Sequence, residues 1–252
     1  MDSNTVIDRR IALQGAAAAG ALGVIGLANA GGASAATGGS AAAASAPTLL
    51  PAATYPVLRY GATGTAVRDL QSKLSGAGFW LGSVDGSFGH LTQQAVYAIQ
   101  KYHRISRDGV CGPMTWGKVN LRRRPVARSM SYSHIEIEKG RQLCYVISGG
   151  RVQLCFNTST GSNKPFQAWG NWYNGQTPSG TFKCYRYVPG WYTNALGGLY
   201  RPMFFNGGIA LHGSTSIPPY NASHGCCRLS TAAQDLILSR RDLAIGSTVV
   251  VY

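Results

Sequence analysis

Two nearby stretches hold the residues best suited to chemistry. Ile209-Ala210-Leu211-His212-Gly213 is followed by Ser223-His224-Gly225-Cys226-Cys227-Arg228-Leu229. Together they bring a thiol, two imidazoles and a guanidinium close to several glycines. A cysteine nucleophile needs a base to take its proton and a third group to orient that base. It also needs backbone N–H donors for the oxyanion that forms when a carbonyl is attacked, and glycine permits that close approach. A thiol, a base and such donors together would serve acyl transfer, with Cys226 as candidate nucleophile, His212 as a candidate base and the N–H groups of Gly225 and Cys226 as candidate oxyanion donors. A structural reading stands beside it, with two buried thiols as small hydrophobes and two core imidazoles. A zinc site built from His212, His224, Cys226 and Cys227 fits poorly. Adjacent residues on extended backbone point to opposite faces, and there is no Cys-x-x-Cys spacing.

The surrounding letters favour the chemical reading. His212-Gly213, followed by Ser223-His224-Gly225-Cys226, a hydrophobic place held by Cys227, and then Arg228, resembles the signature of the L,D-transpeptidase catalytic domain. Ser159-Thr160-Gly161, Thr177-Pro178-Ser179-Gly180-Thr181-Phe182 and the closing Gly246-Ser247-Thr248-Val249-Val250-Val251-Tyr252 resemble further segments of that family. The resemblance covers residues 131–252. A second cysteine at 227, and arginine where some members carry asparagine, are departures from it.

The resemblance implies an enzyme that cross-links peptidoglycan stem peptides through a Cys thioester. It implies that the Gly213 carbonyl orients His212 and that His224 shapes the oxyanion region. Arg228 either holds a substrate carboxylate or braces the loop, and Ser223 is a substrate contact or a structural residue. No metal or organic cofactor is needed. Two alternatives remain: a carboxypeptidase or amidase that uses water as the acceptor, and a non-catalytic wall-binding protein.

The 252 residues are enough for two domains, and a hydrophobic content of 45% is enough for a core. Charged residues make up only 13% of the chain, yet the net charge is +14. That imbalance favours an anionic partner. No nucleic-acid-binding motif is present, so the expected partners are stem peptides and cell-wall glycan, with anionic wall polymers a further possibility.

Residues 1–35 read as an export signal. Arg9-Arg10 precedes a mildly apolar Ala/Gly-rich run with small-x-small sites after it, which resembles a twin-arginine address. The protein is therefore expected outside the cytoplasm, at the cell wall, with no stable membrane span after signal removal. Residues 36–54 are uncharged and rich in Gly, Ala, Ser and Pro, as in a flexible linker.

Residues 55–120 read as a small helical module. Val67, Leu70 and Leu74 keep helical spacing, with Thr65 as N-cap. A second helix is expected from about Leu91 to Tyr102 and a third from Pro113. Asp85-Gly86-Ser87-Phe88-Gly89 recurs as Asp108-Gly109-Val110-Cys111-Gly112, each copy leading into a helix. These features resemble the three-helix peptidoglycan-binding module often joined to wall enzymes. Residues 121–130, with Arg122-Arg123-Arg124, read as a solvated basic linker.

From Ser131 the pattern changes to short β-branched and aromatic runs, including Phe182–Val188 and Phe204–Leu211, with one helix from Thr231. The fold class is therefore multidomain α and β, a small three-helix bundle followed by a mostly-β catalytic domain. Gly149-Gly150 reads as a hairpin turn. Cys144 and Cys155 would then oppose each other across the hairpin, where cross-strand spacing allows a disulfide.

Overall fold

The computed structural model describes residues 55–129 and 131–252. The expected export signal and linker lie outside the described residues. Three helices come first: α1 (Thr65–Gly76), α2 (His90–Tyr102) and α3 (Pro113–Val119). The strands follow as β1 (His134–Glu138), β2 (Leu143–Ser148), β3 (Arg151–Asn157), β4 (Phe166–Ala168), β5 (Asn171–Tyr173) and β6 (Gly180–Lys183). Then come β7 (Arg186–Tyr187), β8 (Trp191–Asn194), β9 (Gly197–Asn206), β10 (Ile209–Ser214) and β11 (Cys227–Ser230). The chain ends with α4 (Thr231–Ser239) and β12 (Thr248–Val251). Among the described residues no helix is long and apolar enough to cross a membrane.

Helices α1, α2 and α3 form where apolar spacing dictates, each starting after a glycine N-cap (Gly64, Gly89, Gly112). Val67, Leu70 and Leu74 are buried on one face of α1. The N-cap of α1 is Gly64 rather than Thr65, and no side chain caps it. The repeated Asp-Gly turns are held alike. The Asp85 carboxylate accepts from Ser87 N (2.8 Å) and Gln71 Nε2 (2.8 Å), and Asp108 accepts from Val110 N (2.9 Å) and Gln100 Nε2 (2.6 Å). A buried glutamine thus serves each copy, and Gly86 N and Gly109 N donate back to its amide oxygen.

Two five-stranded sheets and the separate β4–β5 hairpin make the β part. The first runs β3-β2-β1-β12-β6 and the second β11-β10-β9-β7, with β8 also on β9. Ile135, Ile137, Cys144, Val146, Leu211, Cys227, Leu229, Val249 and Val251 fill the space between the sheets, with Ile237 of α4 closing one side. The alternate residues of β2 (Leu143, Tyr145 and Ile147) face the helices, where Phe79, Ile99 and Trp116 belong to the same buried cluster. Both faces of β2 are covered, which is why it reads as an unbroken apolar run. Each of these large side chains contributes roughly 1.5–3 kcal/mol by leaving water.

The helical part is therefore not a separate bead. It continues the first sheet, because Trp80 N donates to Cys155 O (3.1 Å) and Cys155 N to Gly78 O (2.8 Å), covering the β3 edge. The basic segment is exposed at Arg122 and Arg123, as expected of a solvated run, but it is tied to the fold at Arg124 and at its end. Arg124 donates to the carbonyls of Gly76, Val152 and Gln153, and the N–H groups of Arg128 and Ser129 both meet the Glu136 carboxylate. These carbonyls and the buried carboxylate need donors, and the chain beside them supplies its own.

Lys101 of α2 is fully buried, and sequence pattern alone gave no sign of it. Its Nζ donates to the carbonyls of Gln142 (3.0 Å) and Thr158 (3.0 Å) and to the side-chain oxygen of Asn157. Asn157 Nδ2 then donates to Gln94 Oε1 of α2 (2.6 Å) and to Ile217 O (3.0 Å). Burial, helped by Arg107, pushes the Lys101 pKa down to about 6. Lys101→Met should strand three buried oxygens. We expect a loss of about 3 kcal/mol and a fall in Tm on the order of 10 °C, read by calorimetry. An unchanged Tm would show that the cluster contributes nothing net.

The expected Cys144–Cys155 pairing is overturned. Ser148 pairs with Arg151 and Ile147 with Val152, but Val146 pairs with Leu154, leaving Gln153 as a bulge. The bulge moves the register by one, so Cys144 faces Phe156, and Cys155 faces Tyr145. Cys144 then lies between the sheets and Cys155 among the helices, and both are free thiols. The run Phe204–Leu211 is likewise two strands, divided at Gly207-Gly208.

Candidate active site

Strands β10 and β11 run parallel, with Leu211 beside Cys227 and His212 beside Arg228. Alternation then separates the two thiols. Leu211 and Cys227 point between the sheets, where Cys227 is buried and its thiol pKa is pushed far up. Cys226, one residue earlier, stands on the opposite face and is half-buried. His212 lies on that same face, and both line a cavity of about 840 Å³. In β9, opposite His212, the register slips by one residue between the Leu211–Met203 and Gly213–Tyr200 pairs. Arg201 there has φ +46°, the local twist expected of a bulge beside a site.

His212 Nδ1 is 2.8 Å from the Gly213 carbonyl. A carbonyl only accepts, so Nδ1 carries the proton and Nε2 keeps its lone pair. Burial pushes the His212 pKa down to about 4, with Arg228 acting in the same direction and the Gly213 carbonyl opposing. The Cys226 sulfur receives the Ala210 N–H at 3.4 Å and lies 3.7 Å from Gly208 O. Its pKa is raised by burial, although the Ala210 N–H and Arg228 pull it down. The resting site thus holds a thiol raised by burial and a neutral imidazole lining one cavity, not a readily ionised thiol.

The separated sequence motifs meet at the nucleophile loop. The Thr177 hydroxyl receives Gly161 N–H (2.9 Å) and donates to Gly225 O (2.7 Å). Ala222 N and Ser223 N both donate to Thr160 O (3.0 Å each), and Arg228 N donates to Ser159 O (3.0 Å). Gly225 has φ +137°, and a Cβ there would come within 3.0 Å of Gln176 O, so only glycine fits.

The Gly225 N–H, expected as an oxyanion donor, is already engaged. It is held by Ser223 Oγ at 3.0 Å, and the same hydroxyl donates to Cys226 O at 2.5 Å. The turn satisfies itself internally, which leaves the Cys226 N–H as the remaining candidate of the pair. Ser223, almost fully buried, is accounted for by these bonds. His224 is exposed at the cavity wall, edge-on to Phe166 with ring centroids 4.6 Å apart. The Arg228 side chain reaches the cavity half-buried, and burial lowers its pKa. No cluster of three or more His, Cys, Asp or Glu residues suited to a metal ion occurs among the described residues.

Sequence reasoning missed three contributors to the site. Ala210 acts through its backbone, which carries no side-chain signal. Arg186 lies far from the motif in sequence. The β4–β5 hairpin stands apart from both sheets and lines the cavity with Phe166, Trp169 and Tyr173. Its only cue was a run of aromatics around Gly170.

Comparison with known proteins agrees with this architecture. Residues 63–119 match the family model of a peptidoglycan binding domain, and residues 132–251 match that of the L,D-transpeptidase catalytic domain. An N-acetylmuramoyl-L-alanine amidase of Bacillus licheniformis is 45% identical over 65 residues, 25% of this chain and 18% of that protein. Another, from Mycobacterium tuberculosis, is 33% identical over 89 residues, 35% of this chain and 22% of that protein. The chain spans about a fifth of the length of these curated relatives. The crystal structure of an L,D-transpeptidase from Xylanimonas cellulosilytica is 40% identical, with a TM-score of 0.75, over 81% of this chain and 100% of that one. Matched along the whole of that structure, helices and sheets together, this chain belongs to the L,D-transpeptidase family.

Proposed function

We propose that the protein is a peptidoglycan L,D-transpeptidase that joins stem peptides through a thioester on Cys226. The observation that carries this reading is the shared face of β10 and β11, where His212 and Cys226 line one cavity and the Gly213 carbonyl fixes the tautomer of His212. Cys226 Sγ attacks the carbonyl of the L-to-D bond in a donor tetrapeptide as its proton passes to His212 Nε2. The Gly213 carbonyl, already bonded to Nδ1–H, stabilises the imidazolium that forms. The Cys226 N–H meets the oxyanion. The imidazolium then gives its proton to the leaving amine, and the C–N bond breaks. In the second half, an acceptor amine on a neighbouring stem attacks the thioester and its proton goes to His212. The C–S bond breaks, and the thiolate recovers that proton as thiol.

On this reading the helical part holds wall glycan, anionic wall polymers suit the +14 charge, and the protein works outside the cytoplasm. Neither step needs a metal, because the sulfur is the nucleophile. The test is mass spectrometry of a tetrapeptide muropeptide incubated with the protein. Cross-linked dimers are the expected product. Trimmed monomers alone would mean that water is the acceptor, and unchanged substrate would leave only a wall-binding role.

A further inference from the structure

The cavity lining includes two arginines, Arg186 and Arg228, and neither aspartate nor glutamate. Arg228 belongs to the nucleophile strand. Arg186 comes from β7, where its Cα partner is Phe204 of β9. Its guanidinium carbon stands over the Phe204 ring at 4.9 Å and the Tyr192 ring at 5.4 Å. Those two rings meet edge to face. Phe204 also belongs to the small cluster, with Leu199 and Ala210, against which Cys226 packs. The cation therefore rests on an aromatic shelf whose neighbour is the nucleophile.

Arg186 is otherwise unspent. Arg141, Arg201 and Arg240 each pair with a carboxylate, whereas Arg186 is exposed and forms no ion pair among the described residues. A guanidinium held over aromatic faces is pre-organised, and its N–H fork is matched to a carboxylate. With no acidic side chain in the lining, any carboxylate that Arg186 binds there arrives with the ligand.

We propose that Arg186 is a specificity-determining residue of the cleft that binds a carboxylate of the donor stem peptide. The proposal rests on the acyl-transfer reading above and names the charge that its substrate must carry. The carboxylate is either the C-terminal one, which leaves with the D-residue, or one on a side chain of the stem. Both are recognised by the same fork, and the experiment separates them.

Three tetrapeptide donors are compared: the free acid, the C-terminal amide and the side-chain amide. Each is assayed with wild type, Arg186→Gln and Arg186→Lys. Wild type should favour the free acid over one of the amides by about ten-fold or more, and which amide fails identifies the carboxylate. Arg186→Gln should raise KM for the free acid about ten-fold and abolish the discrimination. Arg186→Lys should restore only part of it, since an ammonium cannot offer the planar fork. Equal use of all three donors by wild type would overturn the proposal. So would an equal rise in KM for acid and amide donors in Arg186→Gln, which marks a packing role. If wild type consumes none of the donors, the acyl-transfer reading fails separately. Equilibrium binding of the same peptides to Cys226→Ala protein then decides the matter: an Arg186-dependent preference for the acid supports the proposal, and none overturns it.

Discussion

Replacing Cys226 with alanine is expected to lower cross-link formation by about a thousand-fold or more, because no other group can form the thioester. Stability should change little. The sulfur's polar contacts are two weak ones, to Ala210 N at 3.4 Å and to Gly208 O at 3.7 Å, and the residue is only half-buried. Tm should stay within a few degrees. Cys227→Ala should do the reverse. It removes a fully buried thiol from between the sheets, lowering stability while cross-linking continues. Product mass and calorimetry on both variants separate the two thiols. Activity that survives in Cys226→Ala and vanishes in Cys227→Ala would reassign the nucleophile.

His212→Ala should cost about 10²–10⁴ in kcat/KM and change the pH profile. Burial holds the imidazole pKa at about 4, so the base is in its working, neutral form above that value and is lost as pH falls through it. The wild-type acid limb should therefore lie near pH 4, well below the ordinary histidine range, and should vanish in the variant. The burial of Cys226 raises its thiol, so iodoacetamide labelling should be slow at pH 7 and quicken toward and above pH 9. His212 also links folding to pH. Between 6.5 and about 4 the unfolded chain takes up a proton that the native site refuses. Wild-type stability is then fully present above 6.5 and falls as pH drops through that window, by up to about 3 kcal/mol. His212→Ala should lack that slope in thermal melts. An acid limb near pH 6.5 would mean that the imidazole titrates as though exposed.

The site was legible in the sequence because its chemistry sits in contiguous letters. His212 and Cys226 are separated by one loop, and simple strand alternation places Cys227 in the core. The helices were legible because Val67, Leu70 and Leu74 repeat at helical spacing and a glycine (Gly64, Gly89, Gly112) precedes each of the first three helices. What escaped notice depends on partners distant in the chain. One bulged residue, Gln153, sent Cys144 and Cys155 to opposite faces, and nothing in the local letters marks it. The direction of the Cys226 shift depends on how much protein surrounds the sulfur, which composition does not reveal. The Gly225 N–H is taken by a hydroxyl two residues away, so a glycine that looked free to donate is needed for its φ instead. Arg122 and Arg123 are exposed as the run suggested, and the binding of Arg124 escaped notice because the carbonyls that receive it lie on α1 and β3.

The join between the helices and β3 also determines where the enzyme can work. A catalytic head on a slack tether searches every peptide within its radius, and its effective concentration falls as the tether lengthens. Here the strand edge is sealed by Gly78 and Trp80 and pinned by Lys101, so no hinge separates the helices from the cleft. Whatever the helices grip, the cleft lies at one fixed offset and heading from it. On the function proposed above, the molecule acts as a pair of calipers, with one point on an anchoring strand and the other at a set span, and peptides nearer or farther than that span are out of reach however abundant they are.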